Sequence, residues 1–231
     1  MYIPSRFRED DREWQLEFMR RHGFAVVVSV SEGRPAATHL PLTVKVAGEE
    51  VFLRGHFAKA NPQWRGLEDG EVLAVFNGPH AYVSPRHYDA FESVPTWNYL
   101  TVHAHGEARV IHDASANEEL LYELVQHHEP GYWQRWQSLS QRYREGMLRG
   151  IVGFELRVTR LEGKAKLSQN KTAEERRRIA AWLSASDDPL ARATGEEMTR
   201  REEAERGEGQ DESGRREEAG DAERREEAEA R

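Results

Sequence analysis

The run Phe24-Ala25-Val26-Val27-Val28-Ser29-Val30 constrains this chain more than any other segment. Its β-branched side chains crowd a helix but pack well on a pleated surface, so it reads as a buried strand. A turn follows at Glu32-Gly33-Arg34-Pro35, then a second strand over Ala37–Val46 in which Pro41 limits the ladder. After a turn at Ala47-Gly48-Glu49-Glu50 comes a third strand, Glu50–His56. Three strands joined by short turns make an antiparallel meander.

The elements around the meander are read the same way. Glu13–His22 places Trp14, Phe18 and Met19 at helical spacing, with Gly23 as the stop. Asn61-Pro62 opens a short helix, because asparagine caps well and proline lacks only an N–H that would be orphaned there anyway. Val72–Asn77 and Ala81–Ser84 read as strands parted by Gly78-Pro79-His80, and Pro85–Pro95 as a loop. Trp97–Ile111 is a long strand with a bulge or bend at Gly106. Ala116–His128 is helical, Gly131–Gly150 forms one or two more helices, and Ile151–Leu161 is a last strand. A loop at Lys166–Asn170 leads to a helix over Thr172–Ser184, opened by a Thr172–Glu175 capping box. About six strands with few parallel crossovers predict a mainly β (α+β) protein, a mostly antiparallel barrel with peripheral helices.

Charge divides the chain. From Gly195 to Arg231 there are 15 acidic and 8 basic residues, so most of the formal net charge of −8 lies there and the remainder is near neutral. That segment repeats Arg-Arg-Glu-Glu-Ala at 200–204, 215–219 and 224–228 and offers no large apolar face. Residues 191–231 are therefore read as a disordered acidic tail with transient helix, a partner-binding tail being the alternative. The near-neutral body lacks the positive balance of a surface that neutralises several phosphates. This weighs against autonomous DNA binding and leaves room only for a local basic patch. No helix-turn-helix with a basic recognition face is found. There is no cysteine, hence no disulfide framework, thiolate metal site or cysteine nucleophile. Early charges argue against a signal peptide, and no run reaches the roughly 18 apolar residues of a membrane span. A cytoplasmic protein with no membrane partner is expected.

Four clusters combine rigid and polar residues: Thr38-His39-Leu40-Pro41; Gly55 to Trp64; Gly78 to Pro85 with Val94 to Tyr99; and Lys164 to Lys171. In the second, a strand end runs into a helix start, where free N–H groups favour an anion. Lys59 and Arg54 add charge and His56 a hydrogen bond. The alternative is plain capping by Asn61 over a packed Trp64. Tyr82 and Ser84, with Trp97 and Asn98, set aromatics beside hydrogen-bonding groups, which suits a flat heteroaromatic ligand. The alternative is a proline-stiffened loop over core aromatics, and for Tyr99 the core reading is preferred. His103 and His105 share a strand face and His127 and His128 adjoin on a helix. Neither pair makes a helical His-x-x-x-His, so no metal ligand is assigned. No serine elbow, Walker loop or dinucleotide fingerprint occurs, and no residue is assigned as catalytic.

In order and spacing these clusters, with the opening Met1-Tyr2-Ile3-Pro4, resemble the signature segments of the PaiB family, the FMN-binding negative transcriptional regulators, from Met1 to Leu190. The resemblance implies a split β-barrel domain over 1–190, bound FMN, a homodimer with flavin at the subunit interface, and negative regulation of transcription. It implies cofactor contacts from Thr38 and His39 on their strand, unless alternation exposes them to solvent, from His56 and Asn61 near the phosphate, and from Tyr82, Ser84, Trp97 and Asn98; Lys59 is a further candidate there on its charge alone. Lys166 and Gln169 would reach a partner subunit's cofactor, unless they form a solvated basic loop. Two other functions are kept: an FMN-dependent oxidoreductase of a small substrate, and a haem-binding split-barrel protein with a histidine as axial ligand.

Overall fold

The computed structural model describes residues 1–204 and 206. Its strands are β1 (Arg8–Glu9), β2 (Phe24–Ser31), β3 (Arg34–Pro41), β4 (Thr43–Ala47), β5 (Glu50–Ala58), β6 (Val72–Val83), β7 (Thr96–Ile111) and β8 (Ile151–Lys166). They form one sheet in the order β3-β2-β6-β7-β8-β5-β4, with β1 added beside β8. The two end strands of that path, β3 and β4, are consecutive in the chain and separated only by Leu42. A sheet whose edges are tied through one residue has to curl until they meet. This closure is the barrel that the strand-rich sequence predicts.

The meander is longer and more broken than expected. The strand expected over Ala37–Val46 is two strands, because the chain turns after Pro41, where the Leu42 N–H donates to Gly23 O at 2.8 Å. Gly55 accommodates this corner: a Cβ on it would stand 2.6 Å from Leu42 Cδ2 and 3.0 Å from Pro41 O. β2 alternates, sending Ala25, Val27 and Ser29 inward. It pairs antiparallel with β3 from Phe24↔Pro41 to Ser31↔Arg34. Gly78-Pro79-His80, read as a turn, lies within the unbroken strand β6. The β2 ladder holds β6 at Leu73, Ala74 and Val75, four residues before the proline. Gly106 lies within unbroken β7, where a Cβ would meet Arg157 O at 2.1 Å. It permits close approach of β7 to β8 rather than a bend. Phe57 and Phe154, with ring centroids 5.1 Å apart, centre the core.

The helices are α1 (Arg12–Arg21), α2 (Ala114–His128), α3 (Tyr132–Ser138), α4 (Gln141–Arg149), α5 (Ala173–Ser184) and α6 (189–204). The described residues pack as two units, Met1–Gly78 with Leu100–Ala165, and Pro79–Tyr99 with the described residues from Lys166 on. In the second unit α5 opens with the expected capping box, Thr172 and Glu175 each accepting from the other's N–H. The disordered tail expected from 191 is corrected by α6. Ala191, Thr194 and Met198 are buried, and Gly195 packs so closely that a Cβ would lie 2.5 Å from Ser184 N. Positions 191, 194, 195 and 198 make one helical stripe of mostly small side chains, which a search for large apolar residues passes over. The expected tail at 205 and 207–231 lies outside the described residues.

In the first unit α2 covers β5 through polar groups. Arg54, its side chain 6% exposed, lies 2.6 Å from Glu123 and 3.8 Å from Glu119 of α2, and 3.5 Å from Glu155 of β8. The charge that Arg54 was expected to lend to an anion is thus committed within the fold. Asn117 of α2 accepts from the Gly153 N–H at 2.9 Å and donates to Ile111 O and Asp113 O, both at 3.0 Å. His56, two residues along β5 from Arg54, keeps its Nδ1 buried without a hydrogen-bond partner.

Two outcomes follow from this packing. Asn117→Ala strands the buried Gly153 N–H, so it should destabilise by about 1–3 kcal/mol, read as a lowered midpoint in urea unfolding. Burial holds the His56 pKa below its ordinary value of 6.5. The unfolded chain therefore takes up that proton more readily than the folded protein. Stability contributed by neutral His56 is complete above pH 6.5 and declines as the pH falls through the lowered folded value. Urea midpoints should drop between pH 7.5 and 5.5, and less steeply in His56→Gln.

Candidate functional site

Of the residues expected to meet a cofactor, Thr38, His39, His56, Lys59 and Asn61 lie in the first unit, and Tyr82, Ser84, Trp97, Asn98, Lys166 and Gln169 in the second.

In the first unit the organising residue is Gln63, which is buried. Its Nε2 donates to Val27 O at 3.0 Å and to Ser29 Oγ and Ala36 O at 3.2 Å. Its Oε1 accepts from Thr38 Oγ1 at 2.6 Å. Thr38 Oγ1 in turn accepts from Asn61 Nδ2 at 2.8 Å, and Asn61 Oδ1 caps the Gln63 N–H at 3.0 Å. Thr38 and Asn61 are thus brought together, as links in a network that ties β2 and β3 to the segment after β5. That segment is a five-residue 3-10 turn, Pro62–Gly66, rather than an α-helix, and Asn61 satisfies its first free donor. His39, exposed, stacks on Phe24 with centroids 6.0 Å apart.

Two residues before Asn61, Lys59 lines a cleft. The Lys59 N–H donates to Gly150 O at 2.8 Å, and Trp64 Nε1 donates to Lys59 O at 3.1 Å. The cleft measures about 510 Å³ and is lined by Lys59, Trp64, His112, Leu148, Arg149 and Ile151, among others. Lys59 has no ion pair among the described residues, while Arg149 has only the solvent-exposed Glu145 at 3.6 Å. Lys59 and Arg149 outnumber the one carboxylate of the lining, Glu145, and with an indole and aliphatic walls they suit an anionic ligand that carries a flat ring; the volume falls in the roughly 300–1,000 Å³ range of small-molecule pockets. Of these lining residues, the sequence singles out Lys59 as a cofactor contact and Trp64 only as a packed neighbour. His112, Leu148, Arg149 and Ile151 come from the ends of β7, α4 and β8, and no local pattern marks them.

The second unit presents a different surface. His80, Tyr82 and Trp97 are exposed on adjacent strand segments, with Trp97 centroids 5.6 Å from His80 and 6.3 Å from Tyr82. Lys166 Nζ donates to Trp97 O at 2.9 Å and to Thr96 Oγ1. Ser84 caps the 3-10 turn Pro85–His87 by accepting from the Arg86 N–H. Asn98, beside Trp97 on the opposite face, is fully buried. Its Oδ1 accepts from Ser168 Oγ at 3.0 Å and its Nδ2 donates to Met198 Sδ at 3.4 Å. Gln169 Oε1 accepts from the Leu167 N–H at 2.7 Å, stabilising a loop in which Ser168 takes a positive φ of 64°.

Residues 1–160 match the family described as "Putative FMN-binding domain". Over 201 residues the chain is 38% identical to the Protease synthase and sporulation protein PAI 2 of Bacillus subtilis, covering 86% of this chain and 96% of that protein. An uncharacterized protein of Aspergillus fumigatus is 34% identical over 164 residues, 54% of this chain and 62% of that one. Among solved structures, the fold is similar to the flavocytochrome Anf3 of Azotobacter vinelandii, at a TM-score of 0.54 and 20% identity over 69% of each chain. It is also similar to the FAD and heme binding protein of Mycobacterium smegmatis, at 0.55 and 21% over 75% of this chain and 79% of that one. The matched domain and the extent of the Bacillus likeness identify the chain as a member of the PaiB-like FMN-binding family of split-barrel proteins, with FMN as its cofactor.

Proposed function

We propose that this protein is a homodimeric negative regulator of transcription of the PaiB type, with FMN held at the subunit interface. The observation that carries the reading is the cleft beside Lys59, whose cations and apolar walls fit a phosphate-bearing isoalloxazine. Lys59 meets the phosphate and Trp64 with Leu148 and Ile151 borders the ring. Thr38 and Asn61 take part through the Gln63 network, which anchors the turn that carries Trp64. Bound FMN supplies a redox-active ring whose chemistry is its own.

The regulatory reading is supported by α4. One side of this helix supplies Leu148 and Arg149 to the cleft. The other exposes Tyr143 and Met147. The sequence reading finds no helix-turn-helix. α3 and α4 nonetheless are two short helices joined at Leu139-Ser140, and four arginines stand among their residues: Arg135, Arg142, Arg144 and Arg149. Occupancy of the cleft bears on the position of α4 and so on what its outer face can touch, DNA or another protein. The dimer reading is supported by the His80–Tyr82–Trp97 ledge. Tyr82 is 46% and Trp97 52% exposed, and contiguous exposed aromatics of this kind mark interaction surfaces.

Titration of FMN into purified protein, followed by quenching of flavin fluorescence, tests the cofactor assignment. Lys59→Ala should weaken binding by about 10–100-fold, the worth of one hydrogen bond to a charged group. Absence of saturable binding, or unchanged affinity in that variant, would remove Lys59 and its cleft from the reading. Sedimentation of Trp97→Glu should show a monomer where the unaltered chain is a dimer.

A further inference from the structure

His103 and His105 stand two residues apart on β7 and so project from one face of the sheet. Glu162 lies on the neighbouring strand β8. One ligand atom from each of the three falls within 4.8 Å of the others. His105 Nε2 is 3.1 Å from Glu162 Oε2. Ligands about 2.05 Å from a tetrahedral zinc ion are separated by about 3.3 Å, so this pair is already spaced to share one ion.

A further carboxylate stands behind them. Glu71 Oε2 lies 3.3 Å from His105 Nδ1, the ring nitrogen that points away from Glu162. Metal-ligating imidazoles habitually donate from their far nitrogen to a carboxylate, which fixes the tautomer and aims the ligating nitrogen. The side chains of His105 and Glu162 are 12% and 17% exposed, so the donors are held in place but reachable. Glu162 already draws cations: the Met1 amino group lies 2.6 Å from Oε2, and Arg160 donates to Oε1. A metal ion bound here would take the place of that amino group at Oε2.

We propose that His103, His105 and Glu162 form a binding site for one divalent transition-metal ion, with Glu71 as the positioning residue for His105. Two imidazoles and a carboxylate suit zinc, iron(II) or cobalt(II) and leave at least one position for water or a small anion. With no thiolate in the chain, softer ions gain nothing here. The sequence marks His103 and His105 on one strand face but gives no sign of their third ligand, which lies 57 residues beyond His105. The site is independent of the flavin reading, and its test uses no flavin.

Zn²⁺ is titrated calorimetrically into untagged, chelator-treated full-length protein. One equivalent should bind saturably. His103→Gln and His105→Gln should each abolish that binding, Glu71→Gln should weaken it by about 10–100-fold, and a His127→Gln/His128→Gln variant should leave it unchanged. Co²⁺ added to the unaltered protein should give visible absorption bands of a four- or five-coordinate nitrogen-ligated ion, a readout that requires no variant to fold. Absence of bound Zn²⁺ and of those bands, or binding that survives in His103→Gln with its affinity intact, overturns the proposal.

Discussion

Everything in the first unit depends on the single residue that separates β3 from β4. Because Leu42 joins the two ends of the sheet path, the strands between must curve, and the positions that permit the curve become fixed. Gly55 is one, since a side chain there would strike Leu42. Gly106 is another, since it lets β7 approach β8 at the Arg157 carbonyl. The curl also brings β3 close enough to the segment after β5 for the Gln63 side chain to hydrogen-bond β2 and β3 at once. The polar network around Gln63 is thus a product of how the sheet curls.

The two cations that the sequence places near an anion meet opposite fates, and the reason is electrostatic. Arg54 points from β5 toward α2 and is enclosed by three carboxylates. Without those carboxylates its buried charge would be unpaired, at a cost of several kcal/mol. Lys59 lies past the end of the same strand, in solvent, with its charge uncommitted. Five residues separate the first, which serves the fold, from the second, which is free to serve a ligand.

Most of the fold was legible because it rests on local chemistry. The β-branched run, the Asn61 cap, the Thr172–Glu175 box and the short turns all act within a few residues. What could not be read depends on distant partners. Pro79 within β6 is tolerated because of where the β2 ladder lies. The split at Leu42 follows from closure. α6 is helical because small residues at 191, 194 and 195 fit against a neighbour. The site shows the same division. Thr38, Lys59 and Asn61 were each legible as polar residues in unusual clusters, whereas the Asn61–Thr38 bond and the entry of Arg149, His112 and Leu148 into the cleft arise from elements that only folding assembles. Asn98 shows the limit from the other side: a polar residue beside an exposed tryptophan looks available, yet strand alternation turns it inward.

The stripe on α6 bears on how such chains are divided into parts. By composition the boundary of this protein falls near residue 190, and everything after it looks like solvent-facing ballast. Met198, eight residues beyond, is the group against which the Asn98 amide rests. A protein trimmed at the compositional boundary would keep every strand of its barrel and still leave an interior amide facing an empty space, so the outermost charged helix is better understood as a stopper than as an appendage.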